Sequence, residues 1–263
     1  MDWLKYFLLG IVEGITEFLP ISSTAHLILF SYLFNIPQTE FHKFLEIFIQ
    51  TGAILAVVFN YFKFVLKNKH LIPKLIASFI PTAIISLIFY KLIKNVFFES
   101  QILIILTLIL GGIIFIIFEL LINKKIIQLQ NNLDNLSFFQ ALLIGIFQSL
   151  AIIPGVSRAG AVILGMLLLK FKRDDSVIYS FLLAVPTIIS AGIYDLYKVG
   201  IYTISFDFTN LIYLIIGFVT SFIFALLTIK WLINYLKNNN FAIFGYYRIV
   251  LGLLFLIIYI LQI

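Results

Sequence analysis

The sequence predicts an all-α protein that crosses a membrane several times. Three observations carry that expectation. Hydrophobic residues make up 62% of the 263 positions and charged residues only 11%. Soluble domains run near 45–50% apolar and about 25% charged. The mean hydropathy is +1.13. The apolar residues also fall into eight long runs, at roughly 3–34, 44–62, 74–93, 102–122, 138–169, 176–197, 209–234 and 242–262. This composition excludes a soluble globular enzyme, a disordered chain and a coiled coil. The net charge of +6 is read as basic loops at a membrane surface rather than as a nucleic-acid interface. No nucleic-acid partner is expected. The chain has no cysteine, which excludes disulfides and thiol chemistry. No basic segment precedes the apolar stretch 3–9, so no cleavable leader is expected.

The first run, 3–34, is broken by Pro20-Ile21-Ser22-Ser23. Each half holds about 15 residues, or roughly 22 Å of helix, against a hydrocarbon core of about 30 Å. The run is therefore read as a re-entrant helical hairpin. Its polar tip must be buried in protein or line a cavity. The next three runs are long enough to span. The fifth, 138–169, is broken again by Pro154-Gly155-Val156-Ser157-Arg158 and is read as a second hairpin. The last three runs are spans. Six transmembrane helices and two hairpins result; eight tilted, kinked spans are the alternative. If successive connections alternate sides, eleven lysines and arginines fall on one side, from Lys63 through Lys237, and five on the other: Lys5, Lys43, Lys91, Lys94 and Lys198. The eleven-residue side is expected to be cytoplasmic. Arg158 and Arg248 lie inside runs. Tyr247 and Arg248 are read as interfacial anchors of the last span, with a role in the site left open.

The two broken runs resemble each other. Gly10-Ile11-Val12-Glu13 precedes Ser22 by the spacing at which Gly145-Ile146-Phe147-Gln148 precedes Ser157. Each copy is one hairpin followed by three spans, an odd number, so the second copy is inverted. The expectation is a single membrane domain over 1–263, with repeat 1 at about 1–123 and repeat 2 at about 136–263. Inverted repeats with broken helices build binding sites where the breaks meet.

The polar residues concentrate at those breaks. Glu13 and Glu17 are four apart and share a helix face. Ser22, Ser23, Thr24 and His26 follow, and the second break supplies Ser157 and Arg158. Ionisable groups inside membrane segments are costly and mark function. Ser22 or Ser23 can cap one helix and Ser157 another. Two helix N-termini pointing inward would bind an anion, phosphate above all. Gly155 permits close backbone approach, and the Arg158 fork suits phosphate oxygens. Glu13 and Glu17 would repel a phosphate unless a divalent cation, Mg²⁺ or Ca²⁺, lay between them. His26 follows Ser23 by three positions, so the pair can meet on one face. Ser23 is the preferred nucleophile, with Ser22 and metal-bound water as alternatives and His26 or Glu17 as proton acceptor. Glu46 and Gln50 either back the site or satisfy each other. Asp195 is left without a role.

At these residues the chain closely resembles the bacterial undecaprenyl-diphosphate phosphatases of the bacitracin-resistance family. The resemblance rests on Gly10–His26 (GIVEGITEFLPISSTAH), Glu46–Val58 (EIFIQTGAILAVV), Pro154–Arg158 (PGVSR), Phe181–Pro186 (FLLAVP) and Asp195–Lys198 (DLYK). It implies a metal-dependent enzyme of the bacterial plasma membrane whose site opens to the external face. Such an enzyme removes the terminal phosphate of undecaprenyl diphosphate, returns the carrier lipid to peptidoglycan synthesis and confers bacitracin resistance. The family's functional residues fall on Glu13, Glu17, Ser23, His26 and Arg158. Two hydroxyl residues of the family's second motif are replaced here by Ala159 and Val162. Expected partners are the polyprenyl diphosphate, membrane lipid and a second copy in a homodimer. Without the resemblance, a transporter or flippase for an anionic substrate fits the repeat equally well.

Overall fold

The computed structural model describes residues 2–37, 39–92, 100–199 and 207–261. They form ten α-helices: α1 (Asp2–Thr16), α2 (Ser23–Leu33), α3 (Glu40–Lys67), α4 (Ile72–Leu92), α5 (Gln101–Asn123), α6 (Phe138–Ser149), α7 (Arg158–Leu168), α8 (Arg173–Val199), α9 (Phe208–Leu236) and α10 (Ala242–Leu261). Among the described residues the only β pairing is an isolated bridge between Asn131 and Phe171. Lys94 lies outside the described residues, as do the side chains of Lys91, Asp195 and Lys198.

Length divides the helices into two groups. The helices α3, α4, α5, α8, α9 and α10 are long and apolar enough to cross a membrane. The others have 15, 11, 12 and 11 residues. At 1.5 Å per residue none of these four reaches across about 30 Å of hydrocarbon. The outward faces are apolar: Ile76, Ile80, Ile84 and Ile88 run along α4 at one-turn spacing, each at least 45% exposed. A continuous stripe of that kind is stable only against lipid. The chain is a multi-pass membrane protein.

Local signals fix where helices start. Ser22 and Ser157 cap α2 and α7, their hydroxyls accepting from the amides of Ala25 (3.4 Å) and Gly160 (3.1 Å). Ser137 and Gln140 form a reciprocal capping box at α6, and Asp207 accepts from Asn210 N–H at the start of α9. The polar break after α1 is enclosed, every residue from 16 to 22 being buried. That enclosure lets non-helical backbone exist among membrane helices.

Close approach through small residues holds the bundle together, as expected where lipid removes the hydrophobic drive between helices. The helix α1 packs on α9 and α6 on α4; α9 and α4 in turn pack on α3 and α8, which touch each other, and α5 pairs with α10. A β-carbon added at Gly14 would lie 2.5 Å from the carbonyl oxygen of Ser221, and one at Gly112 2.6 Å from that of Gly245. Neither backbone can yield without separating the helices. Gly14→Leu is therefore expected to lower stability by about 1–3 kcal/mol or more, as overpacking does. A reduced apparent melting temperature of the purified protein in detergent checks this.

Candidate active site

The two breaks meet in the middle of the bundle, and Arg248 joins them. Its side chain is completely buried on α10. The guanidinium donates to five backbone carbonyls: Pro20 (3.1 Å) in the first break, Gly155 (2.9 Å) and Val156 (3.1 Å) in the second, and Thr107 (2.9 Å) and Leu108 (3.4 Å) on α5. Arg248 is thus not an interfacial anchor. The sequence signal was available, since a guanidinium within an apolar run must find partners inside the protein. Thr107 adds a bond from its hydroxyl to the carbonyl of Pro154 (2.7 Å). Ser22 and Ser157 both sit at φ 72°, a conformation that side-chain-bearing residues rarely hold and that costs of order 1–3 kcal/mol unless the surroundings impose it.

The breaks line a cavity of about 220 Å³. Glu17, Ser22 and Ser23 contribute from the first, and Gly155, Ser157 and Arg158 from the second. Gln50 of α3, Thr82 and Ser86 of α4, and Thr187 of α8 complete its polar wall. The hydroxyl of Ser23 donates to Glu17 Oε2 at 2.6 Å. Arg158 holds the other oxygen of the same carboxylate through Nη2 (2.9 Å) and anchors Nη1 on the carbonyl of Ser180 (2.8 Å). Charge-assisted bonds of this kind are short and strong. They fix Glu17 with one oxygen against the serine and one against the arginine. The first residues of α2 and α7, Ser23, Thr24 and Arg158, line the same space, and helix N-termini suit an anion.

His26 lies behind the cavity wall. Its Nδ1 is 2.7 Å from the carbonyl of Ser22 and its Nε2 2.7 Å from the Tyr247 hydroxyl. A carbonyl only accepts, so Nδ1 carries a proton, and in the neutral ring Nε2 accepts from Tyr247. The expected meeting of Ser23 with His26 is therefore replaced by Ser23 with Glu17. Glu13, one turn before Glu17, is also buried, and neither of its oxygens has a hydrogen-bond partner. Its charged neighbours are Glu17, Glu46 and Arg158. Glu46 does not pair with Gln50. It meets His42 Nε2 at 3.0 Å and the Ser31 hydroxyl at 3.5 Å. Neither His42 nor Ser31 stood out in the sequence, being an ordinary polar residue in each helix. Gln148, which precedes Ser157 by the spacing at which Glu13 precedes Ser22, donates to the hydroxyls of Thr82 (2.8 Å) and Thr187 (3.1 Å). Ala159 and Val162 are fully buried and do not line the cavity.

Glu13 and Glu17 are the groups able to hold a divalent cation. Among the described residues no cluster of three or more acidic or imidazole side chains could hold a metal unaided. The two unpartnered oxygens of Glu13 nevertheless fit one, because buried carboxylate oxygens require a positive partner or donors. The remaining positions would fall to phosphate oxygens and water, as is usual for Mg²⁺.

Removing the central arginine tests the architecture. Arg248→Met is expected to destabilise the protein by about 3–5 kcal/mol, the usual consequence of breaking a buried charged network. Tyr247→Phe, which keeps the packing, is expected to leave the melting temperature nearly unchanged. Thermal unfolding of both variants in detergent separates the two contributions.

The family model described as bacitracin resistance protein BacA matches residues 6–254. The undecaprenyl-diphosphatase of a Sulfurihydrogenibium species is 46% identical over 98% of this chain and 100% of its own. That of Aquifex aeolicus is 46% identical over 97% of both chains, and that of Wolinella succinogenes 44% identical over 97% of this chain and 98% of its own. With the glutamate-rich first break, the Pro-Gly-Val-Ser-Arg second break and a full-length match to the family, the chain belongs to the bacitracin resistance protein BacA family.

Proposed function

We propose that the chain is an undecaprenyl-diphosphatase of the bacterial plasma membrane. It hydrolyses the phosphoanhydride of undecaprenyl diphosphate to undecaprenyl phosphate and inorganic phosphate. The products return the carrier to peptidoglycan synthesis and withdraw the target of bacitracin. The observation that carries this reading is the Glu17 carboxylate held between the Ser23 hydroxyl and the Arg158 guanidinium at the cavity wall.

In the proposed reaction the diphosphate sits over the N-termini of α2 and α7, with Arg158 and the Ser22, Ser157 and Gly155 backbone around its oxygens. Ser23 Oγ attacks the terminal phosphorus as its proton passes to Glu17. The new Oγ–P bond forms as the bond from phosphorus to the bridging oxygen breaks, and undecaprenyl phosphate leaves with that oxygen, which takes the proton from Glu17. Water then attacks the phosphoserine. One of its protons returns to Ser23 Oγ by way of Glu17, and phosphate departs. A divalent cation at Glu13 and Glu17 would neutralise charge on the phosphoryl oxygens. His26, locked by Tyr247 and the Ser22 carbonyl, holds the first break in register with the nucleophile beside it. Glu46 and Gln50 support the acidic pair from α3.

We read the described helices as two copies in opposite orientation, each a re-entrant hairpin and three spans. The matching hairpin lengths, the shared Ser22 and Ser157 backbone and the helix pairings support this. Exchanging α1–α5 with α6–α10 turns α1 on α9 into α6 on α4, and α3 on α9 into α8 on α4. The cavity lining favours an outward-facing mouth. It uses the early part of α3 and the later parts of α4 and α8, all at the lysine-poor end. Below it, Phe18, Phe181 and Tyr61 close the path, with Phe18 and Phe181 rings 5.1 Å apart. The same repeat would suit a carrier, but a carrier needs no nucleophile.

Phosphate release from undecaprenyl diphosphate tests the chemistry. Ser23→Ala is expected to lose about 10³-fold in kcat or more, and Glu17→Gln at least about 10²-fold. EDTA should stop release, and Mg²⁺ or Ca²⁺ should restore it. Full activity of Ser23→Ala would remove the serine from the mechanism. The chain has no cysteine, so Ala191→Cys places a unique thiol in the cavity. It should react with a membrane-impermeant maleimide added to the external side only.

A further inference from the structure

A second cavity, of about 320 Å³, opens between α3 and α9 near their lysine-rich ends. Asn60, Tyr61, Lys230, Asn234 and Lys237 give it a polar and basic lining. Lys230, Asn234 and Lys237 are spaced at i, i+4 and i+7, so they share one face of α9 and its C-terminus. The helix α9 has no acidic residue along its length. Neither lysine forms an ion pair or side-chain hydrogen bond among the described residues. The amide nitrogen of Asn60 is buried without a partner. Lysines at a helix end commonly answer the helix dipole or snorkel to water. Those roles suit Lys237. They do not explain the partnerless amide donor of Asn60, which lines the same cavity as Lys230, nearly two turns inside the helix.

The depth of this cavity identifies its occupant. Trp231 stacks on Tyr235 with ring centroids 5.2 Å apart beside it, an aromatic pair of the type that sits at lipid head groups. Its surroundings on both helices are lipid-facing: Phe59 is 72% exposed, Phe62 57% and Leu227 58%. A water-soluble anion would have to approach through this apolar collar, whereas a lipid already has its chains there. We propose that the cavity binds the anionic phosphate head group of a membrane lipid, with Lys230 and Lys237 facing its charge and Asn60 and Asn234 donating to its oxygens. Ordinary anionic phospholipid and a polyprenyl monophosphate share this chemistry. The site is separate from the catalytic cavity. The two cavities share no lining residue.

Native mass spectrometry of the protein released from phosphatidylcholine nanodiscs tests this. The discs carry a minor fraction of either phosphatidylglycerol or undecaprenyl phosphate. The wild type should retain one anionic lipid in preference to phosphatidylcholine. The double variant Lys230→Gln/Lys237→Gln should retain it about tenfold less or weaker still, given the contribution of each interfacial lysine. The double variant to arginine should keep it, which separates lost charge from lost fold. Equal retention of both anionic lipids identifies bulk phospholipid as the occupant. Stronger retention of undecaprenyl phosphate identifies the polyprenyl monophosphate. Undiminished retention by the glutamine variant, or no preference over phosphatidylcholine, overturns the proposal.

Discussion

Five backbone carbonyls converge on one guanidinium, and the rest of the site depends on that convergence. Broken helices inside a membrane protein leave carbonyl oxygens without partners, and no lipid can supply a donor. Arg248 meets carbonyls of both breaks and of α5 at once. A lysine has three donors on a point charge and could not serve five acceptors in a plane-related fork. Because both breaks share this one donor, neither can shift without the other. The strained serines at the two caps, the inward helix N-termini and the Glu17–Arg158 pair across 141 residues of sequence all rest on that registration.

The two breaks bring different chemistry to the cavity. The first break brings Glu13 and Glu17. The second brings Gln148, whose amide is spent on Thr82 and Thr187, and Arg158. The first break therefore sets the Glu17 carboxylate on the cavity wall, with Glu13 buried behind it, and the second sets Gln148 and Arg158 there. An anionic substrate needs both: donors to hold its oxygens and a carboxylate to accept a proton. Two identical acidic halves would repel it, and two identical basic halves would lack the proton acceptor.

Much of this was legible in the sequence, for definable reasons. Run lengths separated the six long helices from the four short ones, because 1.5 Å per residue against a fixed hydrocarbon thickness leaves little freedom. The intramembrane charges marked Glu13, Glu17 and Arg158, because burying charge is costly. Pairings between distant segments were not legible. Local spacing placed Ser23 beside His26, but the sharp turn at Ser22 swings the serine hydroxyl back to Glu17. Tyr247 meets His26 across 221 positions. Glu46 finds His42 on its own helix, a pairing at ordinary i,i+4 spacing that a charge-poor chain made easy to overlook.

The size of the catalytic cavity has a kinetic corollary. About 220 Å³ admits a diphosphate but not a polyprenyl tail. With the proposed substrate, the tail must stay among the acyl chains while the head alone enters. Encounter is then a search in two dimensions. The quantity that saturates the enzyme is the mole fraction of substrate within its leaflet, so diluting the bilayer with inert lipid slows turnover even when the bulk concentration of substrate is unchanged.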